Sequence, residues 1–276
     1  MTHPRTPAEL LVALDVDGTL MSYDGVISPE VRACVTGLRE AGARVVLSTG
    51  RAVLGTMPVL AELGLTDGWA VCSNGSVTAR IDPVLPDGYE VVEMTTFDPE
   101  PVLRVLAMEL PDAYFAVEDL GRGFRVSRTF PDGELTGEQT VSTFAELCAS
   151  PATRVVIRDP GSTPEEFHAL VERVGLHQVS YAVGWSAWLD LTPGGVSKAS
   201  ALEDLRRRLG VEPFATVAIG DGSNDVEMLA WAARGVAMGH ASDAVRAAAD
   251  EVTGTIEDDG AVAVLRSLLP GAVAGA

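Results

Sequence analysis

The feature that most constrains this chain is a short apolar run that ends on an acidic pair. Leu10–Leu14 contains no polar residue and no alternation, and Asp15-Val16-Asp17-Gly18-Thr19 follows at once. An unbroken apolar run of this length suits a strand buried on both faces, and such strands belong to parallel sheets covered by helices. The rhythm then repeats. Ser28 is placed to cap a helix, Pro29 fits its first position, and Glu30 suits the positive end of its dipole. Val31, Cys34, Val35 and Leu38 give that helix one apolar face, and Gly42 stops it. Ala43–Ser48 reads as a second strand ending at Thr49-Gly50-Arg51. A helix pattern disturbed by Pro58 comes next, and Trp69–Ser73 reads as a third strand ending at Asn74-Gly75. The order strand, helix, strand, helix, strand predicts an α/β fold: a Rossmann-like, doubly wound parallel sheet.

From about Asp82 the texture changes. Pro83, Pro86 and Gly88 punctuate the chain, and strand-like pieces then outnumber helices. Two helices are expected, one from Asp98-Pro99 with Val102, Leu103, Leu106 and Leu110, the other from Thr163-Pro164 with Phe167, Leu170, Val171 and Val174. Around them lie strand-like segments at Ala113–Val117, Gly123–Ser127, Arg154–Ile157, Val179–Val183 and Ala187–Leu191. That mixture predicts an inserted α+β unit with an antiparallel sheet. Near Thr192 the first rhythm resumes, with a helix from Ser197, a buried strand Ala215–Ile219 ending at Gly220-Asp221, and shorter alternations to the end. The expected organisation is a core of residues 1–81 and 192–276 interrupted by a cap of residues 82–191.

Charge and composition narrow the functions available. The formal net charge is -19, from 39 acidic and 20 basic residues, which argues against nucleic-acid or anionic-membrane partners. It also repels phosphorylated metabolites, so a phosphate site here needs a bound cation and a few aimed basic side chains. No apolar run reaches the roughly 18 residues of a membrane span, and Leu10–Leu14 is too short for a signal-peptide core, so the expectation is a cytoplasmic protein. Cys34, Cys72 and Cys148 are widely spaced, form no Cys-x-x-Cys pair, and read as reduced buried thiols. No sequence feature sets an oligomeric state.

In open parallel sheets, ligands bind beyond the carboxyl ends of the strands. Four polar clusters fall there: Asp15/Asp17, Ser48/Thr49, Asn74 and Asp221/Asn224/Asp225. Carboxylates that converge repel one another unless a divalent cation sits among them, and oxygen donors without Cys or His favour magnesium. Lys198, at a helix start, offers a point charge to a phosphate oxygen. Thr49 and the Gly50 amide add hydrogen-bond donors, completing a cradle for a phosphoryl group.

Taken in order, Asp15-Val-Asp-Gly-Thr19, Ser48-Thr-Gly-Arg51, Lys198 and Gly220-Asp-Gly-Ser-Asn-Asp225 resemble the four motifs of the haloacid dehalogenase superfamily. The insert after the second motif, Ser73-Asn-Gly75 and Thr192-Pro-Gly-Gly-Val-Ser-Lys198 resemble its Cof-type branch, with a class IIB cap. The resemblance implies a magnesium-dependent phosphomonoester hydrolase acting on a small phosphorylated metabolite, a sugar phosphate in the first instance. It assigns Asp15 as the nucleophile that forms an aspartyl-phosphate and Asp17 as acid and base. The implied metal contacts are Asp15, Asp17 through its backbone carbonyl, and Asp221, with Asp225 in support. Thr49, Gly50, Lys198 and Asn224 would hold the phosphate. Arg51 reads equally as a substrate contact or a counter-charge, and Asn74 as a substrate neighbour or a turn residue. In the cap, Glu118, Arg122, Arg125, Arg128, Trp185 and Trp188 are placed to face substrate, although the tryptophans read better as core and the arginines as a solvated face. A phosphotransferase or phosphomutase on the same intermediate, and a non-catalytic sensor of phosphorylated metabolites, are the competing readings.

Overall fold

The computed structural model describes residues 6–175, 179–183 and 187–270. The first segment runs β1 (Leu11–Leu14), α1 (Pro29–Glu40), β2 (Arg44–Ser48), α2 (Val53–Glu62), β3 (Gly68–Cys72), β4 (Val77–Ile81) and β5 (Tyr89–Met94). The middle segment follows as α3 (Glu100–Glu109), β6 (Tyr114–Asp119), β7 (Gly123–Val126), β8 (Glu138–Val141), α4 (Phe144–Leu147), β9 (Val155–Arg158), α5 (Pro164–Val174), β10 (Val179–Val183) and β11 (Trp188–Pro193). The last contains α6 (Lys198–Arg208), β12 (Thr216–Gly220), α7 (Val226–Trp231), β13 (Arg234–Ala237), α8 (Asp243–Ala248), β14 (Glu251–Val252) and α9 (Gly260–Ser267).

The larger sheet has the order β14-β13-β12-β1-β2-β3-β4-β5. Its pairs are parallel from β14 to β3, and β4 and β5 complete it antiparallel. From β1 the chain builds outward through β2 and β3. It later returns to build the other way from β12. The strand order therefore reverses between β1 and β12, where Leu14 lies beside Ile219. Every residue of both strands is buried, as expected of runs without a charged residue in which Thr216 alone is polar. Ser28 accepts the Val31 amide at 3.1 Å and starts α1, whose Val31, Cys34, Val35 and Leu38 are buried. Pro58 sits within α2 without ending it.

The smaller sheet has the order β10-β11-β9-β6-β7-β8 and is antiparallel except for the β7–β8 pair. Successive side chains on a strand face opposite ways. Phe115, Val117, Val155, Ile157, Leu189 and Leu191 point into a core shared with Leu103 and Leu106 of α3 and Phe167 and Val171 of α5. Ala116 and Val156 point the other way, into a small cluster with Phe124, Phe130 and Leu135 that also contains Ala52 from the larger unit. The helix-free face of the smaller sheet is thus turned toward the carboxyl ends of the larger one.

The observed boundary differs from the expected one. The Pro83, Pro86 and Gly88 punctuation, read above as a change of domain after Ile81, is the turn of a hairpin: Asp82 donates its amide to Gly88 O at 3.0 Å, and Tyr89–Ile81 pairing continues the larger sheet to Met94. β5 escaped notice because it is an edge strand without a fully buried residue, so it lacks the apolar run that marked the others. β11 likewise crosses the expected restart at residue 192. Among the cysteines, Cys34 and Cys72 are buried as expected, Cys148 is only half-buried, and all three are free.

Truncating the central strand tests this layout. Leu14→Ala removes a fully buried side chain and is expected to cost about 2–5 kcal/mol. Val84→Ala, in the exposed hairpin turn, is expected to change stability by less than about 0.5 kcal/mol. Chemical denaturation of both variants checks the contrast; equal midpoints would contradict the assignment of β1 to the core.

Candidate active site

Each sequence-selected residue of the core follows the end of a strand or opens a helix, and the strand-order reversal gathers them. Asp15 and Asp17 follow β1; Thr49, Gly50 and Arg51 follow β2; Asn74 follows β3; Asp221, Asn224 and Asp225 follow β12; and Lys198 is the first residue of α6. Asp15 donates its amide to Ile219 O at 3.0 Å, which ties the first acidic loop to the strand that leads to the last one.

At the centre, Lys198 Nζ lies 2.6 Å from Asp15 Oδ1 and 2.6 Å from Asp225 Oδ1. The lysine and Asp225 are fully enclosed, and Asp15 nearly so. The other Asp225 oxygen accepts the amides of Asp221 and Gly222 at 3.0 and 2.9 Å. Asp225 therefore spends both oxygens on fixing the lysine and the β12 loop. Asp221 is held from one side by Thr19 Oγ1 at 3.2 Å and from the other by Tyr23 OH at 2.9 Å and His240 Nε2 at 3.3 Å. The Ile256 amide donates to His240 Nδ1 at 3.3 Å, which leaves the ring proton on Nε2, facing Asp221. Gly18 adopts φ +81°, and a Cβ there would collide with the Asp221 carboxylate and the Tyr23 hydroxyl, so only glycine fits that turn.

The electrostatics follow from this crowding. Burial, then the Asp225 carboxylate, raises Asp15 from 3.8 to about 7, with Lys198 pulling the other way. Burial and Asp15 raise Asp221 from 3.8 to about 6, against its hydrogen-bond donors. Burial opposes the charge on Lys198, but Asp15 and Asp225 outweigh it, so its acidity weakens and it stays an ammonium. One ammonium is thus matched against three carboxylates. Asp15, Asp221 and Asp225 each bring an oxygen within 4.8 Å of the others, all buried. This all-oxygen set, short of positive charge, fits a hard divalent cation; Asp15 has Oδ2 to spare for it and Asp221 is held by two hydroxyls and an imidazole, whereas the oxygens of Asp225 are committed to Lys198 and two backbone amides.

Arg51 grips Asp17 with two hydrogen bonds, Nε to Oδ2 at 2.7 Å and Nη2 to Oδ1 at 2.6 Å. Those bonds hold Arg51 still more firmly as a cation. Asn224 donates to Asn74 Oδ1 at 2.8 Å, and a Cβ on Gly50 would press on the same Asn74 amide. Ser73 and Asn74 both take left-handed backbone angles, with φ of 48° and 54°. Such strain persists where the surroundings impose it.

A cavity of about 610 Å³ lies between the two sheets. Asp15, Asp17, Thr49, Gly50, Arg51, Asp221 and Asn224 line it from the larger unit, with Tyr23 beside them. Lys198 and Asn74 line a smaller adjoining space of about 80 Å³. From the smaller unit come Phe124, Trp188 and Asp190 of its sheet, Glu134 and Leu135 of the β7–β8 connection, and Arg154 just before β9.

The cap residues chosen from sequence divide. Trp188 lines the cavity and also packs edge-on against Phe130. Glu118 is buried beneath the wall, accepting from Ser73 Oγ at 2.8 Å and Thr153 Oγ1 at 2.9 Å, so it joins the smaller sheet to the end of β3. Arg122 and Arg128 are exposed, and Arg125 bonds Glu146 O and Ser150 Oγ. Trp185 lies outside the described residues. Sequence reasoning missed Tyr23, His240, Arg154 and Asp190. For Asp190 a signal existed: it alternates with Leu189 and Leu191, which puts its side chain on the face opposite the core of the smaller unit.

A haloacid dehalogenase-like hydrolase family model matches residues 12–265. A 5-amino-6-(5-phospho-D-ribitylamino)uracil phosphatase of Bacillus subtilis (strain 168) is 29% identical over 270 residues, covering 93% of this chain and 96% of that protein. A pyridoxal phosphate phosphatase of Escherichia coli (strain K12) is 30% identical over 267 residues, covering 88% and 93%. The crystal structure of a haloacid dehalogenase-like hydrolase from Bacteroides thetaiotaomicron superposes with a TM-score of 0.77 at 25% identity, covering 94% of this chain and 99% of the other.

The crowded acids predict a pH dependence. A group whose folded-state pKa is raised keeps its proton longer when folded, so the folded state binds more protons and stability falls as pH rises from 3.8 through about 6 and 7. In chelator-treated protein these two acids should therefore lower the melting temperature between pH 5 and pH 8. Added magnesium should raise it more at pH 8 than at pH 5. Thermal melts in chelator and in magnesium at both pH values check this; a magnesium effect that is equal at the two would contradict it.

Proposed function

The chain belongs to the haloacid dehalogenase-like hydrolases and is a Cof-type phosphatase; from that starting point we propose that it hydrolyses a small phosphorylated metabolite through an aspartyl-phosphate on Asp15. The observation that carries the proposal is the Asp15 carboxylate at the cavity floor, one oxygen held by the buried Lys198 ammonium at 2.6 Å and Asp221 beside it.

Lys198 binds Oδ1, so Oδ2 is the oxygen that attacks phosphorus. As the bond from Oδ2 to phosphorus forms, the bond from phosphorus to the ester oxygen breaks, and Asp17 gives its proton to the departing alcohol. A water then attacks phosphorus, Asp17 takes a proton from it, the Oδ2–phosphorus bond breaks, and inorganic phosphate leaves. Asp17 is supported in this role by its place two residues beyond the nucleophile on the cavity wall. Its two bonds to Arg51 orient the carboxyl group and must loosen as substrate arrives. Thr49, the Gly50 amide, Lys198 and Asn224 hold the phosphoryl oxygens, and Asn74 braces Asn224.

Magnesium, held by Asp15, Asp221 and the Asp17 carbonyl, would neutralise phosphate charge and lower the barrier to attack on phosphorus. Asp225 acts through Lys198 and the Asp221 loop. The smaller sheet is proposed as the cap that keeps bulk water from the intermediate and contacts the leaving group. A cavity of about 610 Å³ suits a metabolite rather than a macromolecule. A sugar phosphate is the favoured substrate, and the free, widely spaced thiols support a cytoplasmic setting.

Asp15→Asn should lower kcat at least about a thousandfold, because no nucleophile remains, and Asp17→Asn should lower it about 100- to 10,000-fold through loss of proton transfer. Phosphate release in magnesium from a panel of sugar phosphates and other phosphomonoesters, for the native protein and both variants, is the test. Equal release by native protein and Asp15→Asn would sink the mechanism. Release that requires an added alcohol or sugar acceptor would point to phosphoryl transfer instead.

A further inference from the structure

The wall of the cavity opposite the acidic loops is built from ion pairs that are already closed. Arg154, immediately before β9, directs Nε to Asp190 Oδ1 on β11 at 2.6 Å, and both side chains are largely buried. Trp188 Nε1 donates to the second Asp190 oxygen at 3.1 Å. The Arg154 guanidinium stands 5.9 Å from the Phe124 ring centre. Next to this group, Arg158 Nε lies 2.8 Å from Glu134 Oε2. Two cations and two anions thus balance in this wall and just behind it, where Arg158 pairs with the lining Glu134.

The floor has no spare cation either. Among the described residues, Arg51 and Arg154 are the basic side chains lining this cavity. Arg51 is committed to Asp17, and the neighbouring Lys198 to Asp15 and Asp225. The charge available to meet an incoming anion is that of the phosphoryl site itself. A second anionic group, carried on the leaving portion of the substrate, would enter a confined space where each cation already has its carboxylate. It would lose hydration without gaining a counter-ion, inside a protein of net charge -19. An uncharged hydroxyl meets no such penalty. Asp190 and Glu134 accept from it, Arg154 donates to it, and the Trp188 and Phe124 rings take the carbon face.

We infer that the Arg154–Asp190 pair is the specificity-determining element of the cap, and that it selects phosphomonoesters whose leaving group is uncharged and hydroxyl-bearing over those carrying a second phosphate or a carboxylate. This deepens the hydrolase reading given above and rests on it. The pair acts as a filter because its two charges cancel. Removing one of them gives the wall a net charge, and with it a different preferred substrate.

The test uses substrates matched in size that differ by one anionic group: glucose 6-phosphate against 6-phosphogluconate, and glycerol 3-phosphate against 3-phosphoglycerate. Each is measured in magnesium as a substrate, and as an inhibitor of p-nitrophenyl phosphate hydrolysis so that binding is read apart from turnover. In the native protein the neutral member of each pair should be favoured by about tenfold or more in kcat/KM or in inhibition constant. Asp190→Asn frees the Arg154 charge and should shift that ratio toward the anionic member by about tenfold. Asp190→Glu, which keeps the pair, should restore the native preference. Native protein that turns over p-nitrophenyl phosphate but treats the members of each pair alike would overturn the inference and leave the hydrolase reading standing. So would an Asp190→Asn variant that is folded, by its thermal melt, with the native ratio unchanged. Native protein that releases phosphate from nothing, p-nitrophenyl phosphate included, would overturn the hydrolase reading and this inference together.

Discussion

Lys198 bridges Asp15 and Asp225 in the middle of the molecule, 2.6 Å from each, with no access to solvent. A buried ammonium is costly unless its partners are fixed in place, and these partners come from the ends of β1 and β12, distant in sequence. The bridge is possible because the chain lays those two strands side by side with opposite directions of growth. It also leaves the site in deficit, since one positive charge answers three buried carboxylates. That deficit makes the cluster receptive to a cation and, through it, to a phosphoryl group, in a protein whose overall charge repels both phosphate and nucleic acid.

The supports around this bridge have separate tasks. Asp225 saturates both of its oxygens and acts as a brace. Tyr23, Thr19 and His240 aim Asp221. The strained Ser73-Asn74 turn carries Asn74 to Asn224, while Ser73 turns its hydroxyl to Glu118 of the smaller sheet. One tight turn therefore serves both the Asn74–Asn224 contact beside the cavity and the junction between the units. Burial holds the Glu118 pKa above the usual carboxylate range, with the Arg154 charge and its two hydroxyl donors opposing. The Arg154–Asp190 pair belongs to the same face of the smaller sheet. Core chemistry and cap wall are in this way connected through a few polar contacts in an otherwise apolar junction.

Much of this was legible before any coordinates. Leu10–Leu14 and Ala215–Ile219 announce buried parallel strands because no charged residue interrupts them and only Thr216 is polar, and the acids that follow them sit where such sheets bind ligands. β5 was not legible, because an edge strand need not be apolar and its hairpin turn uses the same Pro and Gly residues as a domain linker. Arg125 and Arg154 could not be told apart by composition, since each is an arginine on or beside a strand of the insert. Tyr23 and His240 had no motif to mark them; each becomes functional only through the position of Asp221.

The sequence by itself determined the fold class and the strand-end residues that gather at the cavity. Those properties depend on local periodicity and on the rule that ligands gather where parallel strands end. The tertiary structure alone decided which charges pair. Whether Arg51 faces substrate or Asp17, whether Asp225 ligates or braces, and which residues of the insert face the cavity all turn on distances of a few ångströms between segments far apart in the chain. Electrostatic energy at such distances depends on burial and geometry, and neither is written in the spacing of residues along the sequence.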